Sequence, residues 1–397
     1  MKKFLILLVC LSSLSVCAQQ DNPMVIGTVD SIHSNILHEK RVIYVHVPHG
    51  SKGQRYPVLY ILDGESHFES AVAITDQMSG VIPPVIVVGI TNTDRERDLT
   101  PTHINADRMV NAGDAGRSGG GEKFLAFVEK ELMPYIESKY PTEPYRIFSG
   151  HSLGGLTVVN AFVNHTNMFN AYIALDPSVW WDNGRWIAGV EKALPQHDFS
   201  NRSLYIAIAN NIIPPLDTLT VLKDTSINTL FPRSVFGFVH ALQTAKPHDL
   251  RWGYRFYANE RHGTVELTAE YGALRYLFDY YSFNSRQFEG HPQISFFNAL
   301  MDHYKMVSQK LGYMVGPTEE EANEFAYSCM GQGRWDDAFK LFKMNTEKHP
   351  ESSNAFDSLG DYYAAKGDKQ HAIEAYTKSL SLQETEDTRR KLNEMKK

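Results

Sequence analysis

Residues 146–162 read RIFSGHSLGGLTVVNAF and hold the clearest chemical signal in the chain. Within them Gly150-His-Ser-Leu-Gly154 matches G-x-S-x-G, between a strand-like run, Tyr145–Phe148, and a helix-like run, Leu153–Val163. A tight strand-to-helix turn lifts a serine side chain above its sheet, and the strained backbone leaves little room for side chains on nearby residues. Gly150, Gly154 and Gly155 supply that room. The helix that starts beside the serine also aims its free N–H groups at the same spot. Ser152 is therefore a candidate nucleophile for attack on an ester carbonyl.

A serine hydroxyl is a weak nucleophile and needs a base. In this setting the histidine follows the last strand, and the acid lies between serine and histidine in chain order. His262, in Tyr257-Ala-Asn-Glu-Arg-His-Gly263, occupies that slot. The acid should orient the imidazole and stabilise its protonated form. Asp217, in the loop after Leu204–Ala209, is the first choice. Asp224 and Glu260 compete with it, and a Ser152–His262 dyad without an acid stays open. The oxyanion formed by attack would sit between the backbone N–H of Leu153 and that of Gly64 or Glu65, in the loop after the third strand. His151 is expected to pack behind the turn.

The chain has no HExxH and no Cys/His spacing typical of zinc, so neither a metal nor a cofactor is expected. The glycine run 113–121 lacks the Lys-Ser/Thr ending of a phosphate-binding loop and reads as a flexible connection.

The elements that must hold these residues show in the hydrophobic pattern. Residues 24–47 read as two strands, with Ile43, Val45 and Val47 alternating against Tyr44 and His46. Pro57–Leu62 and Val85–Ile90 are nearly continuous apolar runs, as strands buried on both faces of a parallel sheet require. Tyr145–Phe148, Ala171–Leu175 and Leu204–Ala209 continue the series, and Trp252–Tyr257 alternates as a last strand. Between them, Phe124, Phe127, Val128, Leu132 and Ile136 recur at three- and four-residue steps, and Leu153–Val163 and Val265–Tyr281 behave similarly. Alternating strand and helix predicts an α/β fold with a doubly wound, mostly parallel sheet and an antiparallel edge from the two leading strands.

The C-terminal part differs. Gly333–Phe342 and Gly367–Tyr376 are related by an offset of 34 residues, which aligns Ala338 with Ala372 and Phe342 with Tyr376. Phe325-Ala326 and Leu359-Gly360 agree at the same offset. That period, with small residues where helices cross, is similar to tetratricopeptide repeats. Only two repeats are visible, and the helical stretch from Ile294 to Leu311 is expected to add a layer and join the two parts. The expected organisation is a leader at 1–18, an α/β domain at 19–290, a helical linker at 291–318 and a small all-helical repeat domain at 319–397.

The leader reading rests on Lys2 and Lys3, a short apolar run from Phe4 to about Val16, and Val16-Cys-Ala18 as a small-residue cleavage site. Export to the periplasm or beyond follows, and Cys329 is then the only cysteine left, so packing alone must hold the fold. A net charge of -7 argues against nucleic acid as a partner, and no later stretch is apolar enough to cross a bilayer. At 43% hydrophobic residues the chain can bury a substantial core.

Several stretches together resemble the esterase family that includes the enterochelin (ferric siderophore) esterases and esterase D. They are Leu62-Asp-Gly64, Val85–Ile90 leading into Arg97-Asp-Leu-Thr-Pro101, Phe124–Tyr140, Gly150–Gly155, Asp176-Pro-Ser-Val-Trp-Trp181 and His262-Gly-Thr-Val265. The resemblance spans roughly residues 25–285 and implies an α/β-hydrolase fold, Ser152 as nucleophile and His262 as base. This chain departs from it at Asp176-Pro-Ser, where the family often has Ser-Pro-Ser, and at His262-Gly-Thr, where it often has His-Gly-Ser. The family acts on siderophore lactones, acyl sugars, plant-wall esters and thiol esters. Arg95, Arg97, Trp180 and Trp181 are candidates for lining a pocket, with Arg97 and Trp180 foremost; a cation beside aromatic walls would suit an aromatic acyl group or an anionic catecholate.

The expected function is an exported serine esterase that hydrolyses a carboxylic ester, such as a siderophore lactone or an acyl or feruloyl carbohydrate ester. Its partner would be a small-molecule ester, with the repeats available to a protein partner. Two rivals stand beside it: an inactive hydrolase-fold scaffold that works through its repeats, and an acyltransferase that uses an acceptor hydroxyl in place of water.

Overall fold

Eight strands form one sheet: β1 (Thr28–Ser34), β2 (Glu39–His46), β3 (Tyr56–Leu62), β4 (Ile86–Ile90), β5 (Thr142–His151), β6 (Ala171–Leu175), β7 (Ser203–Ala209) and β8 (Arg251–Tyr257). Their spatial order is β1-β2-β4-β3-β5-β6-β7-β8. The computed structural model describes residues 24–50, 53–106, 109–291 and 293–397. The expected leader at 1–18 lies outside the described residues. β1 and β2 run antiparallel to each other, and β2 runs antiparallel to β4. From β4 to β8 every neighbouring pair is parallel.

The continuous apolar runs are explained by layers on both faces of the sheet. Every residue of β3, β4 and β6 is buried. Along β3, Val58, Tyr60 and Leu62 join a cluster with Phe124, Phe127, Leu132, Leu156 and Phe162. Leu59 and Ile61 point the other way, to Phe68, Val72, Ala269, Leu274 and Phe278. This is the two-residue alternation of a strand, with both sides core. Each such side chain contributes about 1.5–3 kcal/mol by leaving water. β5 is the long central strand, and its C-terminal end carries the serine turn.

After the sheet, the helix Phe296–Leu311 has one end in each of two cores. Val307 and Leu311 belong to the core beneath the sheet, whereas Phe296, Leu300 and Tyr304 pack with Ala326, Cys329, Ala338, Leu341 and Phe342. Ser295 caps it at the start and Gly312, at φ 76°, ends it. Five helices follow: Glu319–Gly331, Trp335–Lys348, Ser353–Ala365, Lys369–Leu382 and Glu386–Lys396. Thr318 and Glu321 close a capping box on the first. The positions matched at the 34-residue offset are interior ones: Ala338, Ala372, Phe342 and Tyr376 are all buried. A Cβ on Gly360 would lie 2.5 Å from the Tyr376 ring, which accounts for a small residue there. Among the described residues no helix is long and apolar enough to cross a membrane.

Candidate active site

β5 ends at His151, Ser152 follows, and a helix begins at Leu153 and runs to Asn164. Ser152 has φ 60° and ψ −117°, a conformation in which an ordinary residue is strained. The strain is held by two backbone bonds to the neighbouring strand end. The Ser152 N–H donates to the Leu175 carbonyl at 3.1 Å, and the Ser178 N–H donates to the Ser152 carbonyl at 2.9 Å. Glycine is needed on both flanks: a Cβ on Gly150 would stand 2.5 Å from the Gly154 carbonyl carbon, and one on Gly155 would stand 2.9 Å from Pro177 Cα.

The structure brings His262 to this turn from far along the chain. Its Nε2 is 3.0 Å from Ser152 Oγ and its Nδ1 is 2.6 Å from Asp176 Oδ2. The carboxylate at Nδ1 requires Nδ1–H as donor, which leaves Nε2 to accept from the serine hydroxyl. Asp176 is fully buried at the end of β6. Its Oδ1 accepts from the Ala209 N–H at 2.9 Å and its Oδ2 also accepts from Asn211 Nδ2 at 2.7 Å. Asn211 Oδ1 in turn accepts from the His262 N–H at 3.1 Å, so one amide side chain ties acid and base together. A second hydroxyl, Ser178 Oγ, lies 3.3 Å from Ser152 Oγ.

The acid is therefore a correction to the sequence reading. Asp217 does not face His262: it is exposed, and its carboxylate accepts from the N–H groups of Leu219 and Thr220 and from Thr220 Oγ1 in its own loop. Short-range bonds of this kind are the usual occupation of an aspartate in a turn. Asp224 is held by Ser226 and Thr229, and Glu260 by Thr264. The loop after β7 contributes Asn211, and the carboxylate comes from the end of the adjacent strand β6. The signal for it was present: Asp176 stands at the C-terminal end of an apolar strand, at a position where the resemblance leads one to expect serine.

The other candidates divide. The loop after β3 reaches the serine turn, because a Cβ on Gly154 would come 3.3 Å from Leu62 Cβ and 3.4 Å from Asp63 Oδ2. Asp63, at φ 53°, precedes the helix Gly64–Gln77. The amides of Gly64 and Glu65 open that helix as Leu153 opens its own, in positions with no intrahelical acceptor. The loop is clamped: Arg95 Nε and Nη2 reach Asp63 at 2.7 and 2.9 Å, and Asn92 Nδ2 bridges Asp63 and Glu65. Burial pushes the Asp63 carboxyl up, but the Arg95 guanidinium beside it prevails and holds it below the usual carboxylate range.

Arg97 is a second correction. Its guanidinium is engaged by Glu39 at 2.6 Å and Asp98 at 2.7 Å, and these partners hold its pKa well above the ordinary value. It fastens β2 to the short helix Arg95–Asp98 and has no fork left for a substrate anion. Trp180 is buried, with its ring 6.4 Å from that of Phe231, and Phe231 lies edge-on to His262 at 4.9 Å. Trp181 is buried too and donates its indole N–H to Thr102. Phe231, on the helix Leu230–Ala245, was missed from sequence because nothing local marks it as a neighbour of His262.

Residues 34–210 match the family model described as "Putative esterase". The chain is similar to the ferri-bacillibactin esterase BesA of Bacillus subtilis, 39% identical over 146 residues, which are 32% of this chain and 49% of that protein. It is similar to the siderophore enterobactin esterase of Emericella nidulans, 28% identical over 150 residues, 34% of this chain and 50% of that protein. The match thus spans about half the length of these curated relatives. Among solved structures, an IroE-like serine hydrolase from Shewanella oneidensis is 29% identical, with a TM-score of 0.69 over 81% of this chain and 99% of that one.

Proposed function

This chain carries an esterase-family segment on an α/β-hydrolase fold, and from that premise we propose that it is a serine carboxylic-ester hydrolase. The observation that carries the reading is the unbroken string Ser152 Oγ, His262 Nε2, His262 Nδ1, Asp176 Oδ2, with contacts of 3.0 and 2.6 Å. Ser152 Oγ attacks the ester carbonyl as its proton passes to Nε2 of His262. Asp176 steadies the imidazolium that forms. The tetrahedral oxyanion is received by the Leu153 N–H and by that of Gly64 or Glu65. Nε2 then returns the proton to the leaving alcohol, and water, activated by the same nitrogen, releases the acid from Ser152.

The proposed substrate class is a siderophore ester, supported by the names of the relatives. The Phe231 ring beside His262, with Trp180 next to Phe231, suits an aryl acyl group. We propose further that residues 1–18 direct export, that 19–290 form the hydrolase unit and 291–318 its linker, and that 319–397 form a tetratricopeptide-like unit able to dock a protein.

The test is turnover of a short aryl ester and of a catecholate trilactone by wild type and by Ser152→Ala. Wild type should cleave both, and the variant should lose at least about a thousandfold in kcat with its fold intact. Equal turnover by the two proteins would reject the assignment.

A further inference from the structure

Beside His262, three donors converge from three elements. His67 sits in the first turn of the helix Gly64–Gln77, His151 ends β5, and Glu266 sits in the first turn of the helix Val265–Leu277. One ring nitrogen of each histidine and one carboxylate oxygen of Glu266 lie within 4.8 Å of one another. The geometry points to a divalent transition-cation site formed by His67, His151 and Glu266, whose occupant restrains the neighbouring His262.

The donor set decides the class of ion. Two imidazoles and one carboxylate suit zinc and its first-row neighbours, and are a poor match for calcium or magnesium, which prefer oxygen. Three protein donors leave a coordination position for water. His67 Nδ1 and Glu266 Oε1 are now 2.5 Å apart as an ion pair. A cation would open that pair and draw all three donors to roughly 3.3 Å spacing, as bonds of about 2.0–2.1 Å in a tetrahedron require. Both side chains are slightly under one-fifth exposed, which leaves an entry path.

Two further observations show that buried polar atoms in and beside this cluster are left without partners. Glu270, one turn beyond Glu266, is buried, with Oε2 bonded to Ser149 Oγ at 2.6 Å. Its Oε1 is buried and has no hydrogen-bond partner among the described residues, and the same holds for His151 Nε2. Burial, with Glu266 adding repulsion, pushes the Glu270 carboxyl up to about 7. None of the three donors is close to another in sequence, so no short motif announces the site.

The link to catalysis is a ring contact. The His151 and His262 rings are 4.5 Å apart, and the proposed reaction passes through a charged His262. An ion that fixes the His151 ring also fixes the surface on which the His262 ring packs, so filling the site changes kcat more than KM.

The experiment uses the full chain stripped of metal with a chelator, then titrated with Co2+ and followed by visible absorption, with Zn2+ in parallel by calorimetry. Neither readout depends on esterase activity, so the outcome is separate from that of the proposed function. One equivalent of Co2+ with the intense bands of low coordination is expected in wild type. Both His67→Gln and Glu266→Gln should weaken it at least about tenfold. Folded wild type that takes up no equivalent of either ion overturns the site, as do variants that bind like wild type. Filling the site with Zn2+ should also change wild-type kcat measurably, and an unchanged kcat at full occupancy overturns the restraint on His262.

Discussion

The Asp176 carboxylate meets His262 Nδ1 at 2.6 Å from the end of β6, one strand before the loop in which chain order placed the acid. The distance is that of a charge-assisted bond, and the carboxylate is shielded from water. Its remaining acceptor capacity is filled by the Ala209 N–H and Asn211.

Replacing this acid by an amide tests its role. Asp176→Asn keeps the shape but presents a donor or a weaker acceptor to Nδ1, which favours the wrong tautomer. A loss of about 10⁴ in kcat is expected at neutral pH. Asp217→Asn, by contrast, should stay within about twofold of wild type, since its carboxylate serves only its own turn. Steady-state kinetics on one aryl ester with both variants checks this; a large loss in Asp217→Asn with none in Asp176→Asn would overturn the assignment.

Arg97 offers a second check. Because Glu39 and Asp98 occupy its guanidinium, Arg97→Ala should lower the thermal midpoint and leave KM for an anionic ester within about twofold. Removing Arg97 leaves Asp98, a buried carboxylate, with Arg41 as its remaining partner and Glu39 with one fewer cation, so the cost falls on stability. A rise in KM of tenfold or more with an unchanged midpoint would restore Arg97 to the substrate site.

The reach of the sequence follows from which relationships are local. The serine turn was legible because strand, glycines and helix are contiguous, and His262 because its slot is defined by the last strand. The buried strands were legible because both faces are covered, which leaves continuous runs such as Val58–Leu62. Asp176 is not legible in sequence as the partner of His262, because that contact depends on β6 lying between β5 and β7. Arg97 was misread for the same reason: its partner Glu39 lies on β2, which pairs with β4 at the far side of the sheet from β8. An arginine near a motif is seen in sequence, whereas the carboxylate that engages it is not.

Asp337 carries the last expectation, in the helical part. From the helix Trp335–Lys348 its carboxylate accepts from Ser295 Oγ at 2.7 Å and from the N–H groups of Phe296 and Phe297 at 3.1 Å, so it caps the helix that joins the two cores. Burial alone would raise its pKa; the bonds from Ser295, Phe297 and Phe296, with Arg334 nearby, outweigh burial and lower it below 3.8. A carboxyl whose folded pKa is depressed stabilises the fold fully above the unfolded value, and that stabilisation is lost as pH falls through the folded value. Asp337→Asn should therefore cost about 1–3 kcal/mol at pH 7. The gap to wild type should narrow as the pH drops below about 3.8, because the wild-type carboxyl is then protonated as well. Urea unfolding of both proteins across that range measures the gap, and a difference that stays constant or widens in acid would show that the carboxylate charge is not what holds this helix end.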